Sequence, residues 1–168
     1  MKIITTHKNA DFDALASLVA ASLIYPGARP VLPNAINENL KAFLSIHKDL
    51  FKIYSPKDIS IDQVDTLILV DTHSWGRLEG MNALKEKKDL DIIIWDHHMQ
   101  GDIAGKTEYI RETGATVTML IQEIEKQRKL ITPIQATLFL MGIYEDTGNM
   151  TFPSTLAEDA HAAGFLLD

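Results

Sequence analysis

Three short segments of this sequence join carboxylates to imidazoles: Thr6-His7-Lys8-Asn9-Ala10-Asp11-Phe12-Asp13, Asp71-Thr72-His73 and Asp96-His97-His98. A fourth, Glu145-Asp146-Thr147-Gly148, is acidic. Carboxylates crowded together repel and raise one another's pKa values unless a cation neutralises them. Aspartate oxygens and histidine nitrogens without sulfur suit manganese, magnesium, cobalt or iron better than a structural zinc, and the chain has no cysteine. A carboxylate bridging two such ions holds them roughly 3.5–4 Å apart, a spacing that clamps phosphoryl oxygens and activates water. The chemistry expected is metal-assisted hydrolysis of a phosphate ester or anhydride.

Each segment follows an element able to aim it. Ile3 to Thr6 is a β-branched strand pattern that runs into the first segment, and Ala14, Leu15, Leu18, Val19 and Leu23 then repeat at helical spacing up to Pro26-Gly27. Thr66 to Val70 and Ile92 to Trp95 are continuous apolar runs, as in strands buried on both faces of a parallel sheet. They deliver Asp71 and Asp96 at their ends. Arg29 to Leu32 and Leu50 to Tyr54 read as two further strands, and Ile36 to Leu44 as a helix capped by Asn34 or Asn37. Val117 to Ile124 is amphipathic, Thr132-Pro133 opens another helix, and a last one opens at Thr155 with capping-box spacing to Glu158. Alternating strands and helices indicate an α/β fold with a mainly parallel sheet, whose ligands bind beyond the carboxyl ends of the strands. In isolation, Asp11 or Asp13 could merely cap the first helix, and Asp71 could be a strand-end turn residue. Capping alone, however, requires no imidazoles and no carboxylates at three strand ends.

The chain has 168 residues, close to one domain, with 46% hydrophobic residues and a net formal charge of −7. The acidic balance argues against duplex DNA, whose binding rests on excess Lys and Arg. The longest apolar stretch, Ala14 to Tyr25, is shorter than the ~20 residues of a spanning helix, and the N-terminus lacks a signal-peptide pattern. A cytoplasmic protein is expected. The last helical pattern is still running at Asp168, which suggests a fragment of a larger protein.

The motifs His7-x3-Asp11-x-Asp13, Asp71, Asp96-His97-His98 and Asp146-Thr147-Gly148, in this order, resemble the DHH phosphoesterase superfamily. That superfamily includes RecJ-type exonucleases, oligoribonucleases and family II inorganic pyrophosphatases. The wording THKNADFDALAS, ILVDT, DHHMQGDI and GIYEDTGNMTF is most similar to the N-terminal DHH domain of bacterial fusion proteins. There it precedes CBS domains and a poly(A) polymerase or tRNA nucleotidyltransferase module. The resemblance implies a doubly wound, five-stranded-type sheet flanked by helices, with a smaller C-terminal substrate-gripping domain outside these residues. It implies that His7 and Asp11 hold one metal, that Asp13, His97 and Asp146 hold the other, and that Asp71 bridges them. The ions implied are two Mn2+, with Mg2+ or Co2+ as substitutes. His98 faces the substrate phosphate, and Asp96 supports the histidine pair from behind. Gly114-Ala115-Thr116 matches a small-residue segment whose N–H groups could receive an anion, although a plain helix start explains it as well.

Phe12 departs from the glycine of many family nucleases, either narrowing the site or packing under the loop. His73 maps onto no family ligand, and Arg77 is an exposed arginine or a phosphate contact. Asp146-Thr147-Gly148 spells an aspartic-protease tripeptide, but it follows a helix rather than sitting in an all-β context, and no P-loop pattern occurs. Three functions stay open: a phosphodiesterase acting on short RNA, tRNA ends or small nucleotides, a pyrophosphatase, and a noncatalytic metal- or RNA-binding module serving a polymerase. The partners expected are a phosphate-containing substrate, RNA among the candidates, and a second copy in a homo-oligomer, without membrane or duplex DNA.

Overall fold

The computed structural model describes all residues from Met1 to Asp168. Five strands, β1 (Lys2–Thr5), β2 (Arg29–Val31), β3 (Thr66–Val70), β4 (Asp91–Asp96) and β5 (Thr107–Ile110), form one sheet. Its order is β2-β1-β3-β4-β5 and every pair is parallel. The helices are α1 (Phe12–Ile24), α2 (Glu38–His47), α3 (Thr116–Lys126), α4 (Pro133–Asp146) and α5 (Ala157–Leu167). This is the expected α/β architecture. Successive strand side chains point to opposite faces, so each central strand feeds two cores. Ile4, Ile68 and Val70 pack into a cluster of 28 buried residues built with the helices. Ile3, Leu67, Leu69 and Ile94 pack into a second cluster of 11, completed by Ile59, Val64, Leu78, Met81 and Leu84 from loops and short 3-10 turns.

Two strand expectations are corrected. Residues 50–54 form no ladder strand: Phe51 is buried against the helices, and only Tyr54 touches the sheet edge, donating its N–H to Pro30 (2.8 Å) and accepting from Leu32 (3.0 Å). The fifth strand is β5. Its sequence, Thr-Glu-Tyr-Ile, is mostly exposed at the opposite edge, so it lacks the apolar run that marks a buried strand. The start of α5 also moves. Asp159, not Glu158, accepts the Leu156 N–H (2.8 Å), while Glu158 reaches out to Arg111 (2.5 Å).

From β1 the chain crosses to β2 on one side, then returns to β3 on the other, so the order reverses between β1 and β3. Such a reversal opens a crevice at the carboxyl ends of the strands. Asp11 caps α1 there, accepting the Ala14 N–H at 2.9 Å. Thr132 and Gln135 exchange the two bonds of a capping box at the start of α4.

Gly142 lets α4 press onto α1. A Cβ at this position would lie 2.9 Å from the Ala16 Cβ and 3.1 Å from the Phe12 carbonyl oxygen. Asp146 stands one turn later on the same side of α4, so this close approach also sets how near it comes to Asp13. In an unconstrained helix, Gly→Ala stabilises by about 1 kcal/mol. Here Gly142→Ala is expected to destabilise by about 1–3 kcal/mol in urea unfolding, because overpacking outweighs propensity.

Candidate metal centre

Asp71 follows β3 directly and is only 2% exposed. Its backbone is left-handed, with φ 59°, a conformation that short polar residues tolerate better than others and that recurs at functional sites. The carboxylate faces both sides of the crevice. Oδ2 is 3.0 Å from His7 Nε2, while Oδ1 is 3.4 Å from His97 Nε2 and accepts the Thr116 hydroxyl at 3.0 Å. Asp71 consequently belongs to three groups of potential ligands: with His7 and Asp11, with Asp13, His97 and Asp146, and with His97 and His98. Within each group the donor atoms all lie within 4.8 Å of one another.

The histidine tautomers follow from backbone acceptors. His7 Nδ1 donates to the Lys8 carbonyl (2.9 Å) and His97 Nδ1 to the Thr113 carbonyl (3.1 Å). A carbonyl can only accept, so Nδ1 carries the proton and a neutral ring turns its Nε2 lone pair outward. On both rings that lone pair points at Asp71, and on His97 also at Asp146 Oδ2, 3.4 Å away. Lone pairs facing carboxylates require a proton or a cation between them. The donor set therefore fits divalent ions.

The carboxylates carry the same signature. Asp13 is fully buried, and burial first, then the charges of Asp71 and Asp146, push its carboxyl well above the usual range. Burial and the charges of Asp71, Asp11 and Glu145 push Asp146 up to about 8. Burial favours neutral His7, but the hydrogen bond and charge of Asp71 outweigh it and raise the ring. His98 is raised by its hydrogen bond to Asp96.

Asp96 closes β4 and turns both oxygens away from the crevice. Oδ1 accepts from the His98 backbone N–H (3.0 Å) and faces its Nδ1 (2.7 Å), while Oδ2 is 2.5 Å from His73 Nδ1. Although burial opposes its charge, these hydrogen bonds hold Asp96 below the ordinary carboxylate range. Its partners are His98 and His73, so Asp96 backs one member of the histidine pair and not His97. His73 had no assigned place in the motif. It is 6% exposed and fits because Gly101 has no side chain: a Cβ there would lie 1.9 Å from the ring. Its position two residues past Asp71 was the available signal.

The small-residue segment is also placed differently from the expectation. Asp13 accepts the N–H groups of Thr116 (2.7 Å) and Val117 (2.9 Å) at the N-terminus of α3, and Asp159 accepts that of Gly114 (3.0 Å). Those donors are buried, so they are paired inside the protein and not kept for a substrate anion. Ala115 lies between them, fully buried. Asp159 also accepts the Thr118 hydroxyl (2.6 Å), pinning α5 to α3, a role with no motif to announce it. Phe12 packs edge-on against Phe43, under the loop, and its N–H donates to Glu145 (2.7 Å). Arg77 is half-buried, and its charge opposes protonation of His7 and His98. A cavity of about 480 Å3 opens beside the cluster, lined by His97, His98, Glu112, Thr113, Asp146 and Ser154 among others.

A family model described as the DHH family, N-terminal domain, matches residues 2–143. The A-adding tRNA nucleotidyltransferase of Geobacter sulfurreducens is 37% identical over 171 residues, covering 100% of this chain and 19% of that protein. The Aquifex aeolicus enzyme of the same name is 32% identical over 167 residues, with 99% and 19% covered. The chain thus spans about a fifth of the length of these relatives. Among solved structures, a Methanococcus jannaschii protein assigned provisionally to the family II inorganic pyrophosphatases superposes with a TM-score of 0.78 at 25% identity, over 99% of this chain and 54% of that one. An exopolyphosphatase-related protein from Bacteroides fragilis shares the fold, with a TM-score of 0.77 at 21% identity over 98% and 51%. No helix is long and apolar enough to cross a membrane.

The raised carboxyl of Asp146 fixes the sign of a pH effect. In the unfolded chain it loses its proton near 3.8, in the fold only near 8, so raising the pH through this window costs stability. Without divalent ions the chain is expected to melt at lower temperature at pH 8 than at pH 5. Saturating Mn2+ at pH 8 should raise Tm by roughly 5–10 °C, the effect of a ligand at about a hundred times its Kd on a domain of this size. Asp146→Asn should raise the metal-free Tm at pH 8 and shrink the Mn2+ gain, both read by differential scanning calorimetry.

Proposed function

The chain belongs to the DHH family of phosphoesterases, matching the family's N-terminal domain over residues 2–143, and from that premise we propose that it hydrolyses phosphodiester bonds of short RNA, tRNA ends or small nucleotides. The observation that carries this is Asp71, a single buried carboxylate with ligand atoms of two groups on its two sides. His7 and Asp11 would hold one divalent ion, Asp13, His97 and Asp146 the other, with Asp71 shared. Oxygen and imidazole donors suit Mn2+, with Mg2+ or Co2+ as substitutes. When bound, such ions neutralise charge on the phosphoryl oxygens and lower the pKa of a bound water.

The protein's own groups supply orientation and proton control. Asp96 fixes His98 through Nδ1, which leaves Nε2 on the cavity side to donate to a phosphate oxygen. The charge of Asp96 keeps that proton on the ring, and His73 braces Asp96 from behind. An ester is favoured over pyrophosphate by the lining of the adjoining cavity, which contains Glu112, Thr113 and Ser154 and no lysine or arginine. Beyond the histidines at its cluster end, the cavity offers the remainder of a substrate hydroxyls and a carboxylate, which suit the organic part of an ester better than a second highly charged phosphate. The likeness to A-adding tRNA nucleotidyltransferases supports a role as one part of a poly(A) polymerase or tRNA nucleotidyltransferase-related fusion protein, with a following domain expected to grip the substrate.

The test is hydrolysis of a chromogenic phosphodiester, short oligoribonucleotides and pyrophosphate in Mn2+, using a protein that includes the following domain. Asp71→Ala and His97→Ala are expected to lose at least about 100-fold in activity, and His98→Ala about 100- to 1,000-fold, the cost of removing a donor aimed at developing charge. Asp96→Asn should cost about 10- to 100-fold. Unchanged activity in Asp71→Ala and His97→Ala sinks the assignment. An inactive wild type that still binds metal or RNA supports the noncatalytic module instead.

A further inference from the structure

Charge is unevenly spread along the chain. Residues 29–58 contain five basic and three acidic side chains, whereas the remainder carries eleven basic and twenty acidic ones. The basic side chains of this region gather at the β2 edge. A groove of about 510 Å3 runs between α2 and residues 53–58, lined by Lys41, Lys48 and Lys57 together with Leu44, Ile53 and Tyr54. All three lysines are exposed, and Lys48 and Lys57 pair with no carboxylate. Lys41 is 3.9 Å from Glu38, with both side chains largely in water, a contact worth little. The one acidic residue of the lining, Asp58, is occupied in accepting the Ser55 N–H (2.9 Å).

The groove lies at the same sheet edge as the Asp71 cluster. Leu32, Pro33, Asn34 and Ile36, which form its floor, follow the carboxyl end of β2. They are knit to the ligand loop: Asn9 donates to the Ala35 carbonyl (2.8 Å), and Ala10 bridges Ile36. Lys8 and Arg77 stand on the intervening rim, the Lys8 N–H bonding the Arg77 carbonyl at 2.8 Å. Glu79 stands among them, its carboxylate engaged by the N–H groups of Asn34 and Ala35 and the Asn34 amide, and Lys8 and Arg77 join the groove lysines as the cations of this edge in a protein that is acidic overall.

We propose that this groove holds the backbone of a single-stranded RNA whose reacting phosphate lies at the Asp71 cluster. The proposal rests on the phosphodiesterase reading for that end of the strand. Lysines supply contacts to successive phosphates, and the half-buried Ile53 and Tyr54 supply surfaces for bases, the combination seen where single strands are bound without sequence preference. An inorganic polyphosphate would use the lysines but not Ile53 or Tyr54. A duplex would be repelled by the acidic remainder of the surface.

The experiment compares two exposed triple variants of equal charge, Lys41→Gln/Lys48→Gln/Lys57→Gln in the groove and Lys85→Gln/Lys88→Gln/Lys126→Gln elsewhere. Binding of a labelled oligoribonucleotide is followed by fluorescence anisotropy against salt in Mn2+, which neutralises the Asp71 cluster, with every chain also carrying His98→Ala so that the RNA stays intact. The groove triple is expected to bind about tenfold more weakly near 0.1 M salt and to flatten the log K against log salt slope by about 2, three lysines at about 0.7 each. The other triple should shift affinity less than about twofold, having lost no phosphate contact. Equal losses in both triples, no RNA binding with all the lysines intact, or polyphosphate displacing RNA at equal phosphate concentration would each overturn the proposal. Hydrolysis of the chromogenic phosphodiester by the wild type reads the catalytic assignment separately. Activity combined with an unaffected groove triple removes the groove alone. Loss of RNA in that triple, without hydrolysis by the wild type, removes the phosphodiesterase and leaves the groove.

Discussion

The interaction on which the rest depends is the repulsion among Asp13, Asp71 and Asp146, held together in a buried crevice. Asp71 is almost fully buried, Asp13 fully so, and two imidazoles turn Nε2 toward Asp71, His7 facing Oδ2 and His97 facing Oδ1. Gathering like charges in low dielectric is unfavourable unless something stabilises the charged forms. The fold pays part of that cost with its own dipoles. The first turn of α3 donates two N–H groups to Asp13, and the Thr116 hydroxyl reaches Asp71. What remains unbalanced appears as the raised carboxyls of Asp13 and Asp146, and it is this residual that a pair of divalent cations is suited to neutralise.

Keeping the groups in place takes structure from the whole chain. The parallel sheet aims three strand ends at one edge, and the reversal of order between β1 and β3 opens the crevice. Gly142 lets α4 approach α1 closely enough to bring Asp146 beside Asp13. Asp159 ties α5 to the loop before α3, so the helix whose N-terminus serves Asp13 is itself fixed. The His73–Asp96–His98 chain performs the same service beside the cavity, since His98 can present one nitrogen to it only while Asp96 holds the other.

This arrangement also changes the meaning of the acidic composition. Four of the proposed ligands are aspartates, so two divalent cations would bring the formal charge from −7 to −3 by adding four positive charges. A neutralised cluster no longer opposes a phosphate. The lysines at the β2 edge then provide a favourable approach that the average charge conceals.

Much of the centre was legible in the sequence because a carboxylate or imidazole directly after a buried strand has only one place to go in a parallel α/β fold. That constraint puts His7, Asp71 and His97 at one edge without any coordinates, and the capping pattern at Asp11 and Thr132 is equally local. The sequence could not decide which acceptors the histidines use, because His97–Thr113 and His73–Asp96 contacts join segments far apart in the chain. It misplaced the fifth strand, because an exposed edge strand such as β5 needs no apolar run and a buried apolar segment such as 50–54 can serve the core without pairing. It also left open whether Gly114 and Thr116 offer their N–H groups to a substrate anion or simply begin a helix, and those groups are taken by Asp159 and Asp13. Residue types and spacing determined which carboxylates and imidazoles reach the crevice. Only packing between distant elements decided which donors are already satisfied within the protein and which still face the crevice.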